Sequence, residues 1–296
     1  CSDFFYIMKK ILNVLMAFLA FSCMGSNKET SETPQLVESA SSYFLPSHPF
    51  IQYFGRICKP DSSHSVFSFP GVNIRFAFTG TRVSVRLRDL TDESIQADGK
   101  PARNYFNVHI DDAEPFILEL NRNDSVFMLA EDLEEGEHSV KLVKRTESLA
   151  GKVSFGGIEL DRNTSLIELP EPKLKLEFIG NSITCGYGVE AQSENESFGC
   201  STENAALSYA ALAAEELNAA YSLVAVSGRG VAQNYDRSTE NTMPVIWRQT
   251  FADEPEPAWD HSQYIPDIVI INLGTNDFSN TLVDTALFCS AYTGLI

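Results

Sequence analysis

From Phe50 to about Leu160 apolar and polar residues alternate with a period of two. In "VNIRFAFTGTRVSVRLRD", residues 72–89, every second position is apolar on either side of a Thr79-Gly80 turn. That period places alternate side chains on one face of a strand. "YFNVHIDDAEPFILEL" reads as two strands joined at Asp111-Asp112, and "GEHSVKLVKRTE" and "GKVSFGGIEL" add more. Short runs separated by Gly and Asp turns, with no long helical period between them, predict an all-β antiparallel sandwich of jelly-roll type over residues 45–168.

The pattern changes after Pro170 and Pro172. "KLKLEFIG" reads as a strand. "NAALSYAALAAEELN" carries Leu207, Ala210, Ala211, Ala214 and Leu217 on one helical stripe. "AYSLVAVSG" is a second strand, and "PDIVIINLG" is a near-continuous apolar strand of the kind buried on both faces. Strand, helix, strand, a longer excursion from Val231 to Tyr264, then strand predicts an α/β domain with a parallel sheet over residues 173–296. "DTALFCSAYTGLI" reads as the opening of another helix at the end of the chain. A parallel domain of roughly 120 residues is small, so this second domain is expected to be C-terminally incomplete.

The other end of the chain carries a different signal. Met8-Lys9-Lys10 precedes an apolar run from Ile11 to Phe21, the pattern of a secretory leader too short to span a bilayer comfortably. Residues 1–24 are therefore assigned to upstream read-through (Cys1 to Ile7) plus a signal or lipoprotein leader, and residues 25–44 to a flexible linker. Cys23 directly follows a small residue and is the lipidation candidate; an ordinary signal peptide cut near Ser22 or Gly25 is the alternative. An exported chain allows disulfides. Cys185 and Cys200 would close the polar loop between them, for about 3 kcal/mol in the chain-entropy model, against the reading of two buried free thiols. No cysteine pair has the CxxC spacing of a zinc site.

Composition narrows the partners. The net charge is −18, from 22 basic and 40 acidic residues. A nucleic-acid binder needs a basic face, and an anionic lipid surface would repel this one, so membrane contact is expected only through the leader's lipid anchor. The acidic doublets Asp111-Asp112 and Glu134-Glu135 fall in turns of the sandwich and read as solvated hairpin tips rather than as paired glycosidase carboxylates.

Three polar clusters end the apolar strands of the second domain: Gly180-Asn181-Ser182, Ser227-Gly228 and Gly274-Thr275-Asn276-Asp277. In a parallel sheet, ligand sites lie at the carboxyl edge of the strands, so all three are expected to face one crevice. Ser182 at a strand-to-helix junction exposes a hydroxyl and offers its own N–H; Gly228 lets a backbone N–H approach with no Cβ in the way; Asn276 supplies an amide N–H. Each cluster alone is also compatible with a strand-capping turn.

Gly-x-Ser, Ser-Gly and Gly-x-Asn-Asp, in that order, resemble the first three blocks of the SGNH (GDSL-type) hydrolases. "FIGNSITCGYG", "TENAALSYAALAAEEL", "VSGRGVAQNYD", "TMPVIW" and "PDIVIINLGTNDFS" narrow the resemblance to carbohydrate esterase family 2, over about residues 45 to 296. The resemblance implies a β-sandwich joined to an SGNH domain that removes acetyl groups from plant cell-wall polysaccharides or their oligosaccharides. It makes Ser182 the nucleophile, with Ser182, Gly228 and Asn276 as the oxyanion hole, and implies no metal or organic cofactor. Asn181 stands where the wider superfamily has Asp; the two are nearly isosteric and both bond the turn.

The family's catalytic histidine lies in a block beyond the third, so the stretch ending at Ile296 is expected to lack its general base and to be inactive or nearly so. Of the five histidines, His48, His64, His109 and His138 fall at the start of the sandwich or within it, and His261 has no motif that would bring it to Ser182. Trp247, Trp259, Tyr187, Tyr235 and Tyr264 lie in loops of the second domain, where they either stack on sugar rings or close the core. Two further readings stay open: an SGNH esterase for another acyl substrate, and a non-catalytic surface lipoprotein that binds glycan through the sandwich.

Overall fold

The computed structural model describes residues 41–280 and 283–296. The leader, the lipidation candidate Cys23 and most of the 25–44 linker lie outside the described residues. The alternating segments form twelve strands: β1 (Ser41–Phe44), β2 (Gln52–Phe54), β3 (Cys58–Asp61), β4 (His64–Phe67), β5 (Asn73–Thr79), β6 (Val83–Asp89), β7 (Tyr105–Ile110), β8 (Phe116–Glu119), β9 (Val126–Ala130), β10 (Glu137–Lys144), β11 (Val153–Asp161) and β12 (Leu166–Ile167). One antiparallel sheet runs β3-β4-β11-β6-β9, with β1 also on β11; the other runs β12-β5-β10-β7-β8, with β2 also on β5. Phe76, Phe78, Val140 and Leu142 from one sheet meet Val85, Leu87, Phe155 and Ile158 from the other in a shared apolar core. Alternation therefore does what it predicts: one face of each sheet turns inward.

The linker expectation needs one correction. Ser41–Phe44 pairs with Ile158–Asp161, so the sheet begins at residue 41, inside the stretch assigned to the linker. Backbone hydrogen bonds to β11 outweigh the polar composition of the segment. The hairpin tips are as expected: Asp111 turns the chain at φ 49° and its carboxylate accepts from the Ser139 N–H and Oγ–H and pairs with His138.

The second region is a three-stranded parallel sheet of order β14-β13-β17, where β13 is Lys175–Gly180, β14 Ala220–Ala225 and β17 Ile268–Ile271. A short antiparallel pair, β15 (Gln249–Phe251) and β16 (Glu254–Ala258), lies in the excursion between the last two. Among the described residues this region has five α-helices: α1 (Ser182–Cys185), α2 (Tyr209–Glu216), α3 (Met243–Ile246), α4 (Thr275–Ser279) and α5 (Thr285–Leu295). Helix α2 is shorter than its stripe. Ser208 caps its start by accepting from the Ala211 N–H, Asn218 turns left-handed after its end, and only Ala210, Ala211 and Ala214 of the stripe are buried. β17 also differs from expectation. It is an edge strand rather than a strand covered on both faces, and Ile268 and Val269 stand half exposed.

Candidate active site

β13 and β14 pair in parallel through Gly180 and Ala225, and β13 and β17 through Ile179 and Ile271, so all three strands run out at one edge. The residues that follow them are Ser182, Gly228 and Asn276. The shared direction of parallel strands is the reason three clusters spread over nearly a hundred residues of chain reach one place.

Ser182 opens α1 directly after β13. Asn181 holds this turn by accepting the Ile183 N–H at 3.1 Å through its side chain, in the role expected of it. Gly180 is required by packing, because a Cβ there would lie 1.9 Å from Thr184 Oγ1. Gly186 ends the helix in the left-handed region, and a Cβ on it would lie 2.2 Å from the Asn204 carbonyl. The Ser182 side chain is half-buried, and among the described residues its hydroxyl has no hydrogen-bond partner.

Gly228 sits at φ 77°, a conformation that L side chains resist, and its carbonyl accepts the Tyr235 N–H at 2.8 Å. The Asn276 amide donates one hydrogen to the Arg229 carbonyl at 2.7 Å, which ties the third cluster to the second. An amide carries two N–H groups, so one remains for a ligand.

Two residues stand out here whose roles the sequence did not reveal. Asp277 is buried, and its carboxylate accepts backbone N–H groups from Val231, Ala232 and Gln233 at 2.7–3.1 Å. It clamps the loop that carries Gly228. Its place beside Asn276 was the available signal. Glu147 comes from the sandwich, just past β10, and accepts the Ser227 N–H at 2.8 Å. Nothing local marks it, since 80 residues separate the partners.

The cysteine bridge is not formed. Cys185 and Cys200 are both buried free thiols in different surroundings: Cys200 packs with Ala102, Ala150 and Tyr105, while Cys185 faces Glu147 and Glu203. Burial, with the two acids nearby, pushes the Cys185 thiol far up. Cys185, Glu147 and Glu203 are also the one group of donor atoms among the described residues, all within 4.8 Å of one another, that could surround a metal ion.

All five histidines are placed elsewhere. His48 packs between Phe44 and Phe50, His64 pairs with Asp61, His138 pairs with Asp111, and His109 lies opposite Lys141 in the sandwich. The His261 ring lies tilted against Trp247 with centroids 4.2 Å apart, and Trp247 donates to Glu177 at 3.1 Å. His261 precedes β17 and so belongs to the amino side of the sheet, opposite Ser182. The loop aromatics divide. Trp259 is buried, and Tyr264 donates to the Leu176 carbonyl, so both close the core. Tyr187 and Tyr235 are about half exposed and adjoin the site through the Ser182 and Gly228 carbonyls.

The model of the carbohydrate esterase 2 N-terminal domain matches residues 53–170, and that of the GDSL-like lipase/acylhydrolase family matches residues 178–296. The chain is 37% identical over 254 residues to the cellulase/esterase CelE of Acetivibrio thermocellus, covering 84% of this chain and 29% of that protein's length. It is 28% identical to an acetylxylan esterase / glucomannan deacetylase of Cellvibrio japonicus, over 88% of this chain and 71% of that one. In structure it resembles a family two carbohydrate esterase from Clostridium thermocellum solved in complex with cellohexaose. The TM-score is 0.75 and the identity 35%, over 83% of this chain and 72% of that chain.

Proposed function

Because the chain belongs to carbohydrate esterase family two, we propose that its protein is a serine esterase that removes O-acetyl groups from plant cell-wall polysaccharides or their oligosaccharides. The observation that carries the reading is the convergence of Ser182, Gly228 and Asn276 at one edge of the parallel sheet. In this reading Ser182 Oγ attacks the acetyl carbonyl. The N–H groups of Ser182 and Gly228 and the free amide hydrogen of Asn276 receive the oxyanion. The ester C–O bond then breaks and the sugar hydroxyl leaves with a proton, after which water attacks the acyl-serine and releases acetate.

A general base must reach Ser182 within hydrogen-bond distance. The five histidines of this stretch have their contacts elsewhere, and the proposal assigns the base to a histidine that the natural protein carries outside it. Without that base, only the residual catalysis of an oxyanion hole remains, about 10³–10⁴-fold over water in the worked serine-hydrolase template. Tyr235, about half exposed, offers aromatic surface on which the C–H face of a sugar ring packs, while Tyr187 is stacked on Phe198 with ring centroids 3.8 Å apart. The reading includes export and lipid attachment at Cys23, which rest on the leader sequence alone.

Acetate release from acetylated xylan or glucomannan by the full-length protein, with and without Ser182→Ala, tests the assignment. Loss of release in the variant is expected. Undiminished release would remove Ser182 from the mechanism, and a preference for longer acyl esters over acetate would replace the substrate class.

A further inference from the structure

Behind the site lies a group of charged side chains that the reaction outlined above does not use. Glu147 follows β10 and Glu203 precedes the 3-10 turn Ala205–Leu207; both are fully buried. Glu203 Oε2 accepts the Glu147 N–H at 2.9 Å, and Glu147 Oε2 accepts the Ser227 N–H at 2.8 Å. The remaining oxygens, Oε1 of each, are buried and have no donor among the described residues. Carboxylate oxygens of the two lie within 4.8 Å of each other. Two carboxylates this close and this dry cannot both be ionised, and one proton between them supplies the missing donor.

The groups around them fit a pair with a single negative charge. Lys144, also fully buried, donates to the Thr146 and Glu147 carbonyls at 2.6 and 3.2 Å, with Asp89 acting on it from β6. Cys185 and Tyr187 face the pair from α1 and the loop after it, Cys200 lies farther off against Ala102 and Ala150 but within electrostatic range, and the Arg145 guanidinium donates to the Glu203 carbonyl. A metal ion in the same place would sit close to that ammonium and would have a raised thiol as its third ligand.

We propose that Glu147 and Glu203 share one proton and act as positioning residues, holding Ser227-Gly228 where the Gly228 N–H meets the oxyanion. The role rests on the esterase reading; the shared proton does not. Burial and the neighbouring acid raise Glu203 well above the usual carboxylate range. The folded protein therefore keeps a proton that the unfolded chain releases near ordinary Glu values. Stability falls as pH rises from there through the folded value. Ionising both acids also places a second negative charge behind the oxyanion hole, so kcat falls on the alkaline side.

The test uses the full-length protein, 4-nitrophenyl acetate, and the variants Glu203→Ala, Glu203→Gln and Ser182→Ala. Glu203→Ala should lower kcat by about 10²-fold with KM little changed, the scale of an ångström-sized misplacement. Glu203→Gln, whose amide mimics the protonated acid, should recover most of that loss and lack the alkaline fall. Its Tm should gain on that of the unsubstituted protein as pH rises. A Glu203→Ala protein with unaltered kcat and pH profile would overturn the proposal, as would a pH-independent Tm difference. Activity abolished by EDTA and restored by Zn²⁺ would replace it with a metal site. If the unsubstituted protein cleaves no ester, the esterase reading fails and the Tm comparison still decides the shared proton. A Glu203→Ala protein that does not fold leaves both Glu203→Gln readouts in force.

Discussion

At the residue scale, Asn276 donates one amide hydrogen to the Arg229 carbonyl, and the proposed esterase mechanism gives the other to the oxyanion. Asn276→Ala removes both the link and the donor. The expected result is a drop of about 10²–10³ in kcat, roughly 3–4 kcal/mol of transition-state stabilisation, with KM nearly constant. Steady-state kinetics of the full-length protein on an aryl acetate check it. Asp277 acts on the same loop differently, since it accepts three backbone N–H groups and offers nothing to a substrate. Ser182, Gly228 and Asn276 were legible in the sequence because each ends an apolar strand with a polar or glycine residue. Asp277 and Glu147 were not, because their partners are backbone N–H groups, which no residue type advertises.

At the element scale, α1 is a single turn held between two glycines, and its position depends on the loop it meets. Gly186→Ala would bring a Cβ to 2.2 Å from the Asn204 carbonyl at φ 71°. Backbone strain alone costs about 1–3 kcal/mol there, before the overlap is relieved. Gly188 is the natural control: it has φ 62°, but a Cβ on it meets nothing within 4 Å. Gly188→Ala should cost only the left-handed conformation, about 1–2 kcal/mol. Urea unfolding midpoints of the two variants should fall in that order, and activity should fall with Gly186→Ala alone. Strands β13 and β14 could be read from their apolar runs, and the start of α5 from "DTALFCSAYTGLI"; its cap, Asp284 accepting the Ala286 and Leu287 N–H groups, only the structure shows. The exposure of β17 could not, because an apolar run reads the same at the edge of a sheet as at its centre.

At the scale of the whole molecule, the sandwich and the parallel sheet meet through buried charge as well as apolar surface. Arg56, just past β2, lies 3.5 Å from Glu177 on β13, and the exposures of the two side chains are 0% and 5%. The Arg56 guanidinium also donates to the Gln249 carbonyl at 2.7 Å and lies over the rings of Phe69 and Trp259. Burial pulls its value down to about 10, against the pull of Glu177, so the arginine remains charged at neutral pH. Glu177→Gln would leave that charge unpaired, and a loss of about 3–5 kcal/mol is expected. Chemical denaturation at pH 7 measures it. Arg145 makes a second junction of this kind, donating to Asn107 within the sandwich and to the Ser201 and Glu203 carbonyls beyond it.

The sequence by itself determined the two regions, the strand ends and the nucleophile candidate. Periodicity and strand-terminal polar residues are local properties, and each is written within a dozen positions. The tertiary structure alone decided what stands behind the nucleophile. Glu147 reaches Ser227 across 80 residues, Asp277 reaches Val231 across 46, and Cys185 faces two acids rather than Cys200. Those pairings follow from the register of the parallel strands and from the packing of the sandwich against them, and neither is encoded in any single segment.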